Sequence, residues 1–216
     1  MEIILIVLIA FLLILGFVEF RIHLGNLSKI PIRIHVNGSR GKSSVVRLIA
    51  AGLRAGGMKT IGKTTGTSPR IIDEHGNDKY IHRLRSASIG EQISLIRRFS
   101  KLKPDVLVIE CMAVNPQYQW ISEHRIVKST IGVLTNVRPD HLDEMGISID
   151  QITKSMGNTI PFNGTMVSSE DKQSDILKDI SLKRNTTFHS CDLTTLKNSD
   201  IEGFQYLEHK ENISLA

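Results

Sequence analysis

At 216 residues and 41% hydrophobic content, the chain holds enough apolar material for one packed domain plus an appendage, which excludes a disordered chain. Aromatic residues make up only 5%, with Trp120 the single tryptophan, so no stacking platform for nucleic acid is expected. The net charge of +5 is scattered along the sequence and admits anionic partners such as nucleotides, polyanions or a phospholipid surface without selecting one.

The first twenty residues stand apart. Residues 3–18 form an unbroken run of sixteen apolar side chains between Glu2 and Glu19. As a helix this run spans about 24 Å, close to the ~30 Å hydrocarbon core of a bilayer. It lacks the basic start and small-residue cleavage site of a secretory signal. Arg21, His23, Lys29 and Arg33 follow it, and the positive-inside rule then places the remainder in the cytoplasm. The expected organisation is a single-pass anchor at 1–20, a juxtamembrane linker at 21–30 and one domain over 31–216 at the cell membrane. Cys111 and Cys191, with no CxxC pairing, fit reduced thiols in a cytosolic domain and no zinc site.

Past residue 30, short β-rich runs alternate with amphipathic segments, the pattern of βαβ units. The spacing predicts a strand at 31–36, a helix over 43–55 ended by Gly56-Gly57, and a strand at 58–62. A hairpin is predicted from 71–72 to 80–81 over the His75-Gly76-Asn77-Asp78 turn. Ser88 is read as the cap of a helix to 101, with Glu91 completing a capping box. Continuous apolar runs at 106–109 and 131–134 predict strands buried on both faces. A helix is expected from 151, then short strands near Met166 and Phe188, and Phe204 and Tyr206 alternate as in a strand. The end of the chain reads as the start of further structure. The expected fold is α/β, a P-loop-type, mostly parallel sheet flanked by helices and preceded by one transmembrane helix.

Three strand ends carry chemistry. His35-Val36-Asn37-Gly38-Ser39-Arg40-Gly41-Lys42-Ser43-Ser44 lies between a strand and a helix, where glycines let successive N–H groups face a phosphate. Lys42 would reach the β/γ-phosphates and the Ser43 hydroxyl would ligate Mg²⁺. With Val at position 36 the loop is a shorter GxxGKS variant of GxxxxGK[ST]. Glu110 ends the second strand, where a carboxylate points into the ligand crevice of an open sheet and would hold Mg²⁺ directly or through water. The third strand leads into Thr135-Asn136-Val137-Arg138-Pro139-Asp140-His141-Leu142-Asp143, in which Asp140 and Asp143 would orient His141 or hold metal through water.

These stretches resemble the Mur ligases and folylpolyglutamate synthases: the GxxGK[ST][ST] loop at Gly38–Ser44, the TN…DHLD segment from Thr135 to Asp143, and the metal-binding Glu at 110. Lys63-Thr64-Thr65-Gly66-Thr67, Ile89-Gly90-Glu91-Gln92, Glu110-Cys111-Met112-Ala113-Val114-Asn115-Pro116 and Thr159-Ile160-Pro161-Phe162-Asn163-Gly164 resemble the poly-γ-glutamate synthase branch. The resemblance implies ATP and Mg²⁺ as cofactors, and glutamate and a growing polyglutamate chain as substrates. It also implies an acyl-phosphate intermediate and small membrane-protein partners. It assigns Lys42, Glu110 and His141 catalytic roles, with Ser43, Glu110 and His141 as metal ligands. Gly38, Ser39, Arg40, Gly41, Lys42, Ser43, Ser44 and Asn136 would bind nucleotide, and Lys63 to Thr67 would border a substrate channel, although a Gly/Thr turn after a strand has the same sequence. One departure stands out: Met156 occupies the position where relatives carry a carbamylated lysine, with Lys154 nearby. The competing expectations are a non-catalytic nucleotide-binding scaffold and a soluble folylpolyglutamate-type ligase, the latter disfavoured by the apolar helix.

Overall fold

A computed structural model describes residues 2–66, 68–82, 88–196, 201 and 209–216. Thr67 and the expected Phe204/Tyr206 alternation lie outside the described residues.

An eight-stranded sheet runs in the order β4-β3-β2-β5-β1-β6-β7-β8. Its strands are β1 (Ile32–Asn37), β2 (Thr60–Lys63), β3 (Arg70–Ile72), β4 (Asp78–Tyr80), β5 (Val106–Glu110), β6 (Ile131–Leu134), β7 (Thr165–Ser168) and β8 (Thr187–Ser190). The six strands from β2 to β8 are parallel, and the predicted hairpin β3–β4 adds the antiparallel edge. The mostly parallel sheet expected from sequence is therefore present.

Strand β5 shows why the buried runs read as continuous. Val106 and Val108 face one core with Val45, Val46 and Ile49 of α2 (Lys42–Ala55). Leu107 and Ile109 face the opposite core with Leu95, Ile96 and Phe99 of α3 (Glu91–Ser100). A strand with both faces covered has no polar positions to alternate. A third cluster, around Leu134, Ile152, Met156 and Met166, lies under α6 (Ile149–Met156) and α7 (Ser174–Lys183).

Helix α3 starts later than expected. Its N-cap is Gly90, and the Ser88 hydroxyl accepts from the Gly90 N–H at 3.2 Å, two residues too early to reach the helix's third N–H. A capping box does form at α6, between Ser148 and Gln151. Helix α4 (Pro116–Ile121), capped by Asn115, was not foreseen, and it continues as a π-helical turn (Ser122–Val127).

Helix α1 runs unbroken from Glu2 to Leu27, so the segment expected as a linker is helical over most of its length. Every described side chain from 2 to 22 is exposed, whereas His23, Asn26 and Leu27 are buried against the domain. His23 Nε2 donates to the Ile126 carbonyl at 2.7 Å, and Asn26 Oδ1 accepts from the Ser100 hydroxyl at 3.1 Å. The Arg33 guanidinium ties the junction by donating to the carbonyls of Ile30 at 2.6 Å and Lys128 at 2.9 Å. These contacts fix the junction through His23 Nε2, Asn26 and Arg33.

The π turn delivers Glu123 beneath β1. His35 on β1 is fully buried, and its Nδ1 lies 2.7 Å from Glu123 Oε2, while Glu123 Oε1 accepts from the Ser129 N–H and hydroxyl at 2.8 and 2.9 Å. Burial alone would lower the His35 pKa; interactions with the Cys111 sulfur and the Glu123 carboxylate outweigh it and raise it to about 9. A raised folded-state pKa makes stability complete below about 6.5, the unfolded value, and lost as pH climbs through about 9. Glu123→Ala strands a buried imidazolium and should cost roughly 3–5 kcal/mol in denaturant unfolding. Glu123→Gln should flatten the decline in stability between pH 6.5 and 9 (values bracketing the His35 shift).

Candidate functional site

The sheet brings the three expected strand ends together. Strand β1 lies between β5 and β6, with Val36 paired to Glu110 and Asn37 to Leu134. The loop after β1, the last residue of β5 and the segment after β6 therefore open on one edge, where ligands of open α/β sheets bind.

The loop is held in place by its neighbours. Gly38 adopts φ 136°, and a Cβ there would sit 2.1 Å from Thr135 Oγ1. Ser39 N donates to the Asn136 carbonyl at 2.9 Å, its hydroxyl donates to the Arg138 carbonyl at 3.0 Å, and Arg138 N donates back to that hydroxyl at 2.9 Å. The Asn136 amide brackets Arg40: Oδ1 accepts from Arg40 N and Nδ2 donates to Arg40 O, both at 3.1 Å. In this geometry Ser39 and Asn136 shape the loop. Gly41, with φ 83°, faces Asn212 of the short C-terminal helix α8 (Lys210–Ser214), whose Oδ1 would be 2.6 Å from an added Cβ.

Lys42 opens α2, and its ammonium donates to the Gly38 carbonyl at 2.6 Å, folding back over the loop. The Ser43 hydroxyl donates to Glu110 Oε2 at 2.6 Å, and the same oxygen accepts from Thr65 N at 2.8 Å. Ser44 follows in the first turn, half-buried. A hydroxyl and a carboxylate in contact at the foot of the glycine loop are hard oxygen donors of the kind divalent cations take. Among the described residues no group of three or more His, Cys, Asp and Glu side chains gathers as a metal cluster. A hydroxyl-plus-carboxylate site does not need one.

A cavity of about 200 Å³ is lined by Gly38, Lys42, Thr65, Glu110, Asp140 and His141, among others. It brings together the catalytic residues expected from sequence. His141 sits in the left-handed region at φ 45°, one residue before α5 (Leu142–Met145), with Nε2 3.8 Å from Asp140 Oδ1. That backbone turn directs the ring to the cavity, and it is a conformation that a β-branched residue would tolerate poorly.

Other expected residues fall elsewhere. Asp143 lines a separate shallow cleft with Glu144, also on α5, and Lys154 on α6. Met156 is fully buried and lines the cavity, whereas Lys154 lines the separate cleft. The 63–67 stretch divides: Lys63 is fully buried with its ammonium 3.8 Å from Glu91 Oε1, Thr64 is buried, and Thr65 and Gly66 reach the cavity.

One contributor escaped the sequence reading. Glu170, just beyond β7, is buried and accepts from Val137 N at 2.8 Å and Lys172 N at 3.1 Å. It bounds a second cavity of about 450 Å³ on the other side of the loop, shared with Arg40, Asn136, Arg138 and Asn212. A lone Ser-Ser-Glu after a weak strand gave no signal of this.

The profile of the Mur ligase middle domain matches residues 36–215. The capsule biosynthesis protein CapB of Bacillus anthracis is 39% identical over 210 residues, covering 95% of this chain and 45% of that protein. The PGA synthase CapB of Bacillus subtilis (strain 168) is 37% identical over 214 residues, covering 98% of this chain and 54% of that protein. The chain thus spans about half the length of these curated relatives. Among solved structures, the bifunctional folylpolyglutamate synthase/dihydrofolate synthase of Yersinia pestis CO92 superposes with a TM-score of 0.62 at 17% identity, over 80% of this chain and 46% of that one. A bifunctional enzyme of the same description with Mn, AMPPNP and L-glutamate bound gives 0.61 at 18% identity, over 81% and 46%. At that identity the likeness concerns the fold.

Gly38→Ala should weaken binding of a fluorescent nucleoside triphosphate analogue by about tenfold or more, since the backbone strain alone is worth roughly 1–3 kcal/mol. Asp143→Asn, in the separate cleft, should leave that titration unchanged.

Proposed function

Because the chain belongs to the Mur ligase family, we propose that it forms the nucleotide-binding part of a membrane-anchored, ATP-dependent ligase that builds γ-glutamyl amide bonds. The observation that carries this reading is the shared cavity of Lys42, Glu110 and His141 at the mouth of the glycine loop. Support comes also from the relatives described as a capsule biosynthesis protein and a PGA synthase. The neighbour carrying Mn, AMPPNP and L-glutamate is consistent with it.

In this mechanism the loop N–H groups and the start of α2 receive the ATP phosphates. Lys42 leaves the Gly38 carbonyl for the β/γ oxygens, where its charge offsets the charge on the transferring group. A Mg²⁺ ion held by Ser43, Glu110 and His141 would supply further neutralisation. The terminal glutamate carboxylate attacks the γ-phosphorus and ADP leaves, giving an acyl phosphate. The amine of the incoming glutamate attacks that carbonyl, and phosphate departs from the tetrahedral intermediate as the amide forms. The protein's share is placement and charge, which fits a site with no nucleophilic side chain committed to the reaction. The 450 Å³ cavity beside Arg40 and Asn136 would take the nucleoside end.

Helix α1 would hold the domain at the cytoplasmic face of the cell membrane as a single span. Its described side chains from 2 to 22 are uniformly exposed and almost all apolar, a surface that lipid covers at no cost and water does not. Small membrane-protein subunits of a synthase complex would be its neighbours there, and the growing polyglutamate chain its product.

The test is glutamate incorporation in membranes carrying the longest natural form of the chain with its partner subunits. ADP and phosphate release should depend on glutamate, and Lys42→Ala should lower it by roughly 10²–10³-fold, the usual cost of one charge-stabilising donor. Glu110→Gln should raise the metal concentration needed. Nucleotide binding without amide formation, under conditions in which a relative makes polymer, would leave only a nucleotide-binding scaffold.

A further inference from the structure

Where α1 meets the domain, a groove of about 540 Å³ runs between it and the helices α3 and α4. Residues of α1 from 16 to 26 line it, so it begins at the end of the apolar run and continues toward the domain. Its walls are largely apolar, with Phe20, Ile22 and Ile93 exposed among the described residues. Arg97 and Arg125 stand in the same lining, both exposed and neither ion-paired among the described residues. Glu19 is the one acid in the lining, and Lys128 adds a further cation next to it, with Nζ 5.8 Å from the Phe20 ring.

His23 gives an independent sign of a ligand. It lines the groove, is 6% exposed, and spends Nε2 on the Ile126 carbonyl. With the proton on Nε2, the other ring nitrogen is an acceptor, and Nδ1 is buried with no hydrogen-bond partner among the described residues. Buried polar atoms are rarely left so, and a hydroxyl donor in the groove would satisfy it.

We propose that this groove binds one anionic glycerophospholipid with a hydroxylated headgroup, its phosphate between Arg97 and Arg125 and a headgroup hydroxyl donating to His23. Its acyl chains follow the exposed face of α1 into the bilayer. Basic pockets beside a membrane helix on the cytoplasmic side take such headgroups, and two guanidiniums without a carboxylate partner among the described residues, Arg125 lying 5.5 Å from the Trp120 ring centroid, match an amphiphilic anion over an apolar floor. A second protein helix would bury those same cations and would need acids of its own opposite them. The lipid would fix the tilt of the domain against the membrane, since α1 is tied to the domain through His23 and Asn26. The inference rests on the reading of α1 as a membrane span.

The experiment reconstitutes the chain with α1 in nanodiscs of phosphatidylcholine containing a minority of phosphatidylglycerol, then counts retained lipids by native mass spectrometry. Wild type should keep one phosphatidylglycerol in preference to phosphatidylcholine. Arg97→Gln/Arg125→Gln should lower that retention by roughly tenfold, and Arg98→Gln, on the same helix but outside the groove, should not. Melting of the variants in detergent separates lipid loss from misfolding, and His23→Phe gives a second variant expected to lower retention. Carbonate extraction tests the anchor separately: release from membranes defeats the span, whereas retention with no headgroup preference defeats only the lipid site. Unchanged retention in the double variant, or cysteine cross-linking from Ile93 to a partner subunit's helix in place of lipid, would overturn the proposal.

Discussion

The absence of a side chain at position 38 is the constraint on which the rest of the site depends. The parallel register of β5, β1 and β6 places the loop after β1 directly against Thr135 and Asn136. A Cβ at residue 38 would have to occupy the space of the Thr135 hydroxyl, 2.1 Å away. Close approach lets the Asn136 amide grip Arg40 and lets Ser39 exchange hydrogen bonds with Arg138, so the segment after β6 and the loop are tied together. His141 is carried by that same segment, and its distance from Lys42 is thereby set by the sheet.

The opposite side of β1 is fixed by charge. His35 and Glu123 form a buried pair in which the carboxylate's second oxygen is also satisfied, by Ser129. Such a pair contributes less net stability than its Coulomb attraction suggests, because both ions give up water. Its consequence is positional: the π turn cannot shift without stranding both partners. The same turn supplies the Ile126 carbonyl that receives His23, and the neighbouring Lys128 carbonyl receives Arg33. Helix α1, the π turn and the central strand are therefore linked by polar contacts.

Much of this was legible in the sequence because it follows from short-range pattern. The apolar runs at 106–109 and 131–134, the glycine loop between strand and amphipathic helix, and Glu110 at a strand end all express local rules, and the sheet obeys them. What escaped was decided by tertiary contact. Ser88 and Glu91 have the spacing of a capping box, but an intervening turn moves the helix start to Glu91. Residues 21–30 read as a juxtamembrane linker, yet within them His23 and Asn26 hydrogen-bond the domain. Lys63 was expected at a substrate channel, whereas its strand position buries it facing Glu91. Glu170 could not be seen at all, since its role is to receive the Val137 N–H from a neighbouring strand end.

The contact between the Ser43 hydroxyl and Glu110 marks the place where these constraints meet, at 2.6 Å. A crystal structure with a non-hydrolysable ATP analogue and Mg²⁺ bears on it most directly. The account predicts the triphosphate seated in the loop from Gly38 to Ser43, with the ion taking over both partners of that hydrogen bond and His141 turned toward it. A nucleotide bound on another face, or an ion that leaves Ser43 and Glu110 joined and untouched, would contradict it.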